Sequence, residues 1–325
     1  MKRDPYFDNA KAVLIVLVVL GHTLARMVEE NEWILTIYLF IFSFHMPAFI
    51  LVSGYFSRKI KSKKDLWGLI KKILIPYVIF QVIYTFYYQK LFDEPIEFTI
   101  LTPRWALWFL ISLFCWNILL FIFSSRKYGI VFSIIVSLII GYFGEVNEWL
   151  SLSRTFFFFP FFLIGHFLEK NHFEWVKKKS NALIGWAVLG LIFIGIYFYG
   201  EMTWREWFYG RLGYKELMES SIALGFIYKF LVYLIMGAAT YCFLCIVPKK
   251  HTFFTEIGSI TLGIYLFHMF FLEYVYNSFI YDWIKESGQY YVLLVIPVTI
   301  IFILSRKPIV KVECVLIGMK MKTKT

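Results

Sequence analysis

His22, His45 and His268 stand inside apolar stretches of this sequence. An ionisable side chain in such a stretch is costly and as a rule faces a cavity or another helix. Near pH 7 a neutral imidazole can take a proton from a hydroxyl or carry a transferred group for a moment. His22 follows Lys11 by eleven residues. At ~100° and ~1.5 Å per helical residue, that spacing puts the two on one face about 16 Å apart, with Asp8 only ~40° off the line. One stripe thus offers an acid and a cation at one end and an imidazole near the other. A lone histidine is more often a packing residue; the aligned lysine favours the functional reading.

The other polar positions carry weaker signals. His45 lies in Phe44-His45-Met46-Pro47, where the missing proline N–H frees a carbonyl nearby. Ser53-Gly54 follows, and Gly54 permits close backbone approach. Tyr265 and His268 are three residues apart and therefore adjacent on a helix surface. They read either as glue between helices or as a pocket lining. Arg154 precedes Thr155 and a run of phenylalanines. Its planar fork suits a carboxylate or a developing oxyanion, and snorkelling to headgroups is the plain alternative. Trp105 and Trp108 fit an aromatic belt or a site wall, and Asn117 fits interhelical glue. Cys242 and Cys245 form a C-x-x-C without neighbouring His or acid, so with Cys115 and Cys314 they read as small apolar fillers. The sequence has no H-x-x-x-H, no P-loop and no G-x-S-x-G, and no metal site is expected.

The elements that must hold these residues are membrane helices. Of 325 residues, 60% are hydrophobic and 17% charged, and mean hydropathy is +0.68. A soluble domain of this size cannot hide that much apolar surface. The expected fold is all-α, a single polytopic membrane domain over residues 1–325. Hydrophobic windows place about ten transmembrane helices at 10–27, 33–56, 68–89, 105–123, 128–143, 155–168, 181–199, 221–247, 258–280 and 289–305. The sixth is short and carries Pro160 after four phenylalanines, the mark of a kinked aromatic helix. Lys2, Arg3 and Lys11 before the first apolar run imitate a signal peptide, but nine more apolar segments follow, and the run reads as a retained helix.

The net charge of +11 is explained by orientation and not by nucleic acid, which is not expected as a partner. With both ends inside, the inner segments hold 24 Lys and Arg and the outer ones 8, with Lys229 inside the membrane. That asymmetry predicts N-in and C-in. The outer connections also carry acids such as Glu29, Glu30, Asp93, Glu94, Glu145 and Glu148. The basic run Arg58-Lys59-Ile60-Lys61-Ser62-Lys63-Lys64 is a topology anchor on anionic lipid, or an attractor for a polyanionic cytosolic donor.

Taken in order, Tyr6-Phe7-Asp8-Asn9-Ala10-Lys11 through Gly21-His22, Phe44-His45-Met46-Pro47 with Ser53-Gly54, and Leu107-Trp108-Phe109-Leu110 form a series. It continues with Leu152-Ser153-Arg154-Thr155, Phe159-Pro160-Phe161-Phe162, and Gly263-Ile264-Tyr265 with His268. The series resembles the acyltransferase-3 family of membrane O-acyltransferases, in particular its fucose 4-O-acetylase-like branch. The resemblance implies transfer of an acyl group, usually acetyl from cytosolic acetyl-CoA, to a hydroxyl of an extracytoplasmic or lipid-linked carbohydrate. It implies a multi-pass protein of the cell membrane whose partners are lipid, acyl-CoA and a surface or lipid-linked glycan. Family members commonly carry Arg-x10-His in the first helix; this chain has Lys11-x10-His22, which keeps the charge and loses the bidentate fork. The family's arginine after the second helix has no clear match, and Lys71 or Lys72 before Pro76 are the candidates to replace it.

On this reading His22 is the general base or a transient acyl acceptor, and Lys11 with Asp8 and the basic loop attends the donor. Arg154 orients the acceptor or steadies the oxyanion, and His45, Trp108, Tyr265 and His268 line the substrate site. A transporter or flippase for a glycan or lipid is the main alternative. It predicts substrate movement without consumption of acyl-CoA. A non-catalytic membrane partner, indifferent to changes at these polar positions, is the other.

Overall fold

A chain this apolar must satisfy its backbone N–H and C=O groups within its own helices, and the computed structural model is helical through its long apolar segments. It describes residues 4–93, 99–123, 125–143, 149–218 and 221–316, with the side chains of 126–127 and 313–314 excepted. No strand occurs among them. Lys2, Arg3, Glu94, Glu145 and Glu148, and the side chain of Cys314, lie outside the described residues. In chain order the helices are α1 (Pro5–Leu24), α2 (Glu32–Phe42), α3 (His45–Tyr55), α4 (Lys63–Leu69), α5 (Ile75–Phe92) and α6 (Trp108–Leu119). Then come α7 (Arg126–Ile140), α8 (Leu152–Phe167), α9 (Lys170–Val176), α10 (Lys179–Tyr199), α11 (Met202–Tyr209) and α12 (Tyr214–Leu217). The last five are α13 (Gly225–Ile246), α14 (Thr261–Tyr276), α15 (Phe279–Ser287), α16 (Val292–Leu304) and α17 (Lys307–Leu316).

Each of the ten hydrophobic windows coincides with helix. Among the described residues, six stretches are long and apolar enough to cross a bilayer: Pro5–Leu24, Glu32–Tyr55, Lys63–Phe92, Trp149–Phe167, Lys179–Tyr199 and Ile222–Ile246. The others are shorter; α16, with 13 residues, extends about 20 Å against a hydrocarbon core of ~30 Å. The expected second helix is broken in two at Ser43 and Phe44, with Phe44 outside helical geometry at φ −143°. Pro47 sits in the first turn of α3, where its missing N–H is tolerated. By contrast α8 runs unbroken through Pro160.

Helix α1 lies at the centre, against α2, α3, α14, α16 and the 3-10 turn Ile257–Ser259. Pro5 and an Asp4 side chain that accepts from the Tyr6 N–H start it. Asn9 fixes its first turns: the side-chain amide donates to the carbonyls of Pro248 and Lys250, each at 2.8 Å, and its oxygen accepts from Thr252 and Thr255. Gly258 allows the turn to touch the Asp8 backbone, since a Cβ there would stand 1.9 Å from the Asp8 carbonyl oxygen.

The tightest crossing joins α3 to α8. A Cβ on Gly54 would lie 2.1 Å from the Phe162 carbonyl oxygen, and one on Gly165 would lie 2.0 Å from that of Leu51. The two glycines let the backbones meet, the usual device where lipid supplies no hydrophobic drive between helices. Ser57 Oγ and His166 Nδ1, 2.8 Å apart, add a polar clasp nearby. At the periphery α10, α13 and α16 turn large apolar side chains outward, among them Leu183, Phe198, Leu234 and Val298. Faces of that kind need lipid, and the chain is a multi-pass membrane protein.

Candidate active site

The C-terminal turns of α1 carry His22 into a group of side chains drawn from five helices. The His268 ring, on α14, stands 5.3 Å from the His22 ring, centroid to centroid. His45, at the start of α3, lies within electrostatic range of His22. The break between α2 and α3 makes this possible, because a continuous helix would rotate His45 by the turn that Ser43 and Phe44 take up. Phe42 packs edge-on against His45 at 4.6 Å, and Gly21 leaves room for that same phenylalanine. His45 and His268 are buried, whereas His22 is only half-buried. Of the three residues His22 is the least buried.

Two of the rings are oriented by the backbone. His45 Nδ1 meets the Ile41 carbonyl at 2.8 Å, and His268 Nδ1 meets that of Tyr265 at 2.6 Å. A carbonyl only accepts, so in the neutral ring Nδ1 carries the proton and Nε2 carries the lone pair. His268 Nε2 is buried with no hydrogen-bond partner. The Tyr265 hydroxyl is likewise buried, near the Phe109 backbone N–H but without a bond of ordinary geometry to it. Buried polar atoms are rarely left in this state, and each one calls for an explanation. Several around a half-buried histidine are what a polar ligand would satisfy.

Arg154 completes this group. Leu150 and Ser151 both take left-handed geometry, φ 53° and 50°, an uncommon pairing that sets the entry to α8. Ser151 Oγ then accepts from the Arg154 guanidinium at 3.0 Å, and that group lies over the Trp108 ring at 4.6 Å. Stacked and held by a single side-chain hydrogen bond, its Nε is buried and unpartnered. Tyr265 lies within electrostatic range of it. The structure thus brings together His22, His45, His268, Tyr265, Arg154 and Trp108.

Lys11 and Asp8 sit at the other end of α1, about 16 and 21 Å away by helical rise. They form an ion pair of 2.9 Å, with Asp8 buried and Lys11 partly open. Lys71 and Lys72 are exposed on a π-helical turn, Ile70–Leu74, a rare feature that frequently marks functional sites. Lys229 is buried, donating to the Ser137 carbonyl at 2.8 Å between the rings of Phe157 and Tyr214. A surface cleft of about 240 Å³ lined by Lys59, Ile60, Lys61, Leu120 and Phe121 contains none of the site residues. Among the described residues no group of three or more His, Cys, Asp or Glu is placed to hold a metal ion.

Sequence reasoning missed a brace around the end of α1. Tyr276 donates its hydroxyl to the His22 carbonyl, and Tyr281 donates to that of Thr23 at 2.6 Å. Arg26 pairs with the fully buried Glu273 at 3.2 Å and lies over the Tyr276 ring at 4.2 Å. Glu273 is an acid within an apolar window, and the search that found the histidines applies equally to it. Tyr209, Arg205 and Arg211 were missed for another reason: the connection holding α11 has no apolar window to draw attention to it.

Residues 4–306 match the family described as "Acyltransferase domain". Among curated proteins, Nodulation protein NolL of Sinorhizobium fredii is 45% identical over 56 residues, 16% of this chain and 15% of that protein. Nodulation protein NolL of Mesorhizobium japonicum is 41% identical over 58 residues, 17% and 16% of the two chains. The chain therefore spans about one-sixth of the length of the curated relatives it matches. No solved structure matches.

Proposed function

The chain belongs to the acyltransferase-3 family and is a membrane O-acyltransferase, and from that premise we propose that it moves an acetyl group from cytosolic acetyl-CoA to a carbohydrate hydroxyl. The acceptor is an extracytoplasmic or lipid-linked glycan, the membrane is the cell membrane, and both ends of the chain lie in the cytoplasm. The excess of Lys and Arg in the connections on the Lys11 side supports that orientation. It puts the Asp8–Lys11 pair at the donor's entrance and His22 towards the far leaflet.

The observation that carries this reading is the convergence of three histidines, with the least buried one on α1 in line with Lys11. The span of about 16 Å from Lys11 to His22 is one that an extended pantetheine arm can bridge, so a thioester reaches the histidines while its phosphates stay near the basic entrance. His22 takes the acceptor hydroxyl proton as the oxygen attacks the thioester carbonyl. A base so placed contributes roughly 10²–10⁴-fold. The tetrahedral oxyanion is met by the Arg154 guanidinium and the Tyr265 hydroxyl, two buried donors with bonds to spare. Collapse breaks the carbon–sulfur bond, and the proton held on His22 passes to the departing thiolate. His268, whose Nε2 lone pair has no partner, is the second group able to accept a proton.

Transfer of labelled acetyl from acetyl-CoA, in membranes holding wild-type or His22→Ala protein at matched levels, tests the reading. Loss of transfer by at least 10²-fold in the variant is expected. Full activity in His22→Ala removes His22 from the base role. Movement of a glycan without consumption of acetyl-CoA replaces transfer with transport.

A further inference from the structure

The arginines of this chain are unevenly placed. Nine of the 33 basic residues are Arg, and five of them, Arg26, Arg104, Arg154, Arg205 and Arg211, fall in connections or helix ends on the His22 side beside three lysines. The opposite connections hold 24 basic residues and only four arginines. Charge used for orientation has no reason to prefer one cation over the other. A planar fork that grips carboxylate or phosphate does.

Three of the five are gathered by the fold. Ser153 Oγ donates to the Gly210 carbonyl at 2.9 Å in a buried bond. Gly210 takes φ +61°, and a Cβ there would stand 2.2 Å from the Phe157 ring. This clasp fixes the end of α11 on the first turn of α8, bringing together Arg154 and Arg211, the next residue in each segment. One turn earlier on α11, Arg205 lies 5.5 Å from the Tyr209 ring and 5.8 Å from the Tyr38 ring. Tyr38 donates to the Tyr209 hydroxyl at 2.8 Å. Tyr209 in turn packs on Phe42 at 5.1 Å, and Phe42 on His45. The cations therefore join the histidine group through an unbroken aromatic wall. Among the described residues no carboxylate pairs with Arg154 or Arg211, and Arg205 has only its neighbour Glu206 at 3.7 Å. The guanidinium Nε atoms of Arg154 and Arg205 are both buried without a hydrogen-bond partner, that of Arg205 being the atom 3.7 Å from Glu206.

We propose that the acceptor is an anionic glycan whose carboxylate or phosphate is held by Arg154, Arg205 and Arg211 beside the hydroxyl that receives the acyl group. Arg154 and Arg211 lie within electrostatic range of each other, and an anion arriving with the substrate relieves their repulsion. The aromatic wall supplies the apolar face on which a sugar ring packs. This inference rests on the acyl-transfer reading, but its test does not.

The test measures ligand-dependent thermal stabilisation of the full chain in detergent, without donor, using three probes: methyl β-glucuronide, glucose 1-phosphate and neutral methyl glucoside. At least one anionic probe is expected to bind tenfold or more tightly than the glucoside, and which one identifies carboxylate or phosphate. Arg211→Gln and Arg205→Gln are each expected to weaken the anion by roughly tenfold or more, and the Lys variants to recover only part. Lys285→Gln, which removes an exposed cation on the same side, leaves binding unchanged. Equal binding of the glucoside, no binding of either anion, or anion binding unaffected by both Gln variants overturns the proposal. Anion binding by a protein that transfers no acetyl group removes the acyl-transfer reading and keeps the anion site. Equal acetylation of neutral and anionic glycans does the reverse.

Discussion

Gly54→Ala joins packing to chemistry. The new Cβ would stand 2.1 Å from the Phe162 carbonyl oxygen, 2.9 Å from its carbon and 3.1 Å from the His166 nitrogen. Ordinary contact needs about 3.5 Å, so α3 and α8 must part by roughly 1.4 Å. Backbone lies on both sides, and no side chain can swing away to absorb the change. Overpacking of this kind costs about 1–3 kcal/mol, to which the dispersion lost along the opened crossing is added. The same two helices carry His45 and Arg154, so the wedge also shifts the site. A displacement near 1 Å is worth on the order of 10²-fold in rate. Thermal unfolding in detergent and acetyl transfer at matched protein give the two readouts. Gly237→Ala on α13 is the control, because a Cβ there meets nothing within 4 Å, and it should be neutral or slightly stabilising. If Gly54→Ala melts and turns over like Gly237→Ala, the glycine crossing does not hold the site together.

Tyr276→Phe removes the hydroxyl bound to the His22 carbonyl; kcat should fall with little change in donor KM, and Thr23, still held by Tyr281, should keep the helix end folded. Arg26→Gln strips an ion-pair partner from the buried Glu273. Because the Arg26 side chain is 41% exposed, the loss should be about 1–3 kcal/mol, below that of a fully buried pair, and Glu273→Gln in the same protein should restore part of the melting temperature. Lys11→Gln should raise the KM for acetyl-CoA several-fold with kcat nearly unchanged, and Lys11→Arg should not raise it; an unchanged KM in Lys11→Gln would detach the inner end of α1 from the donor.

The stripe along α1 was legible from spacing because a single helix carries it. Asp8, Lys11 and His22 share a face by helical period alone, and the structure places the first two as an ion pair. Gly54 was legible as a point of close approach. The interruption at Phe44 was not, since hydropathy sees Glu32 to Tyr55 as one apolar run and does not register a single residue leaving helical geometry. Partners distant in sequence were equally hidden: nothing local links Arg26 to Glu273, 247 residues on, or Ser153 to Gly210. Arg205 on α11 and Arg211 just beyond it escaped because short amphipathic helices resemble loops when apolar length is the signal. Helix count is similarly blurred, since α6, α7 and α16 are apolar but shorter than a full crossing.

Where the product appears distinguishes transfer across the bilayer from transfer on one face most directly. Protein reconstituted into liposomes, with labelled acetyl-CoA confined to the side of the chain's ends and acceptor glycan only on the other, should yield labelled glycan on the acceptor side, and the label should vanish with His22→Ala. Label that appears only when donor and acceptor share a compartment, or that persists undiminished in His22→Ala, would contradict transfer across the bilayer through the histidine group.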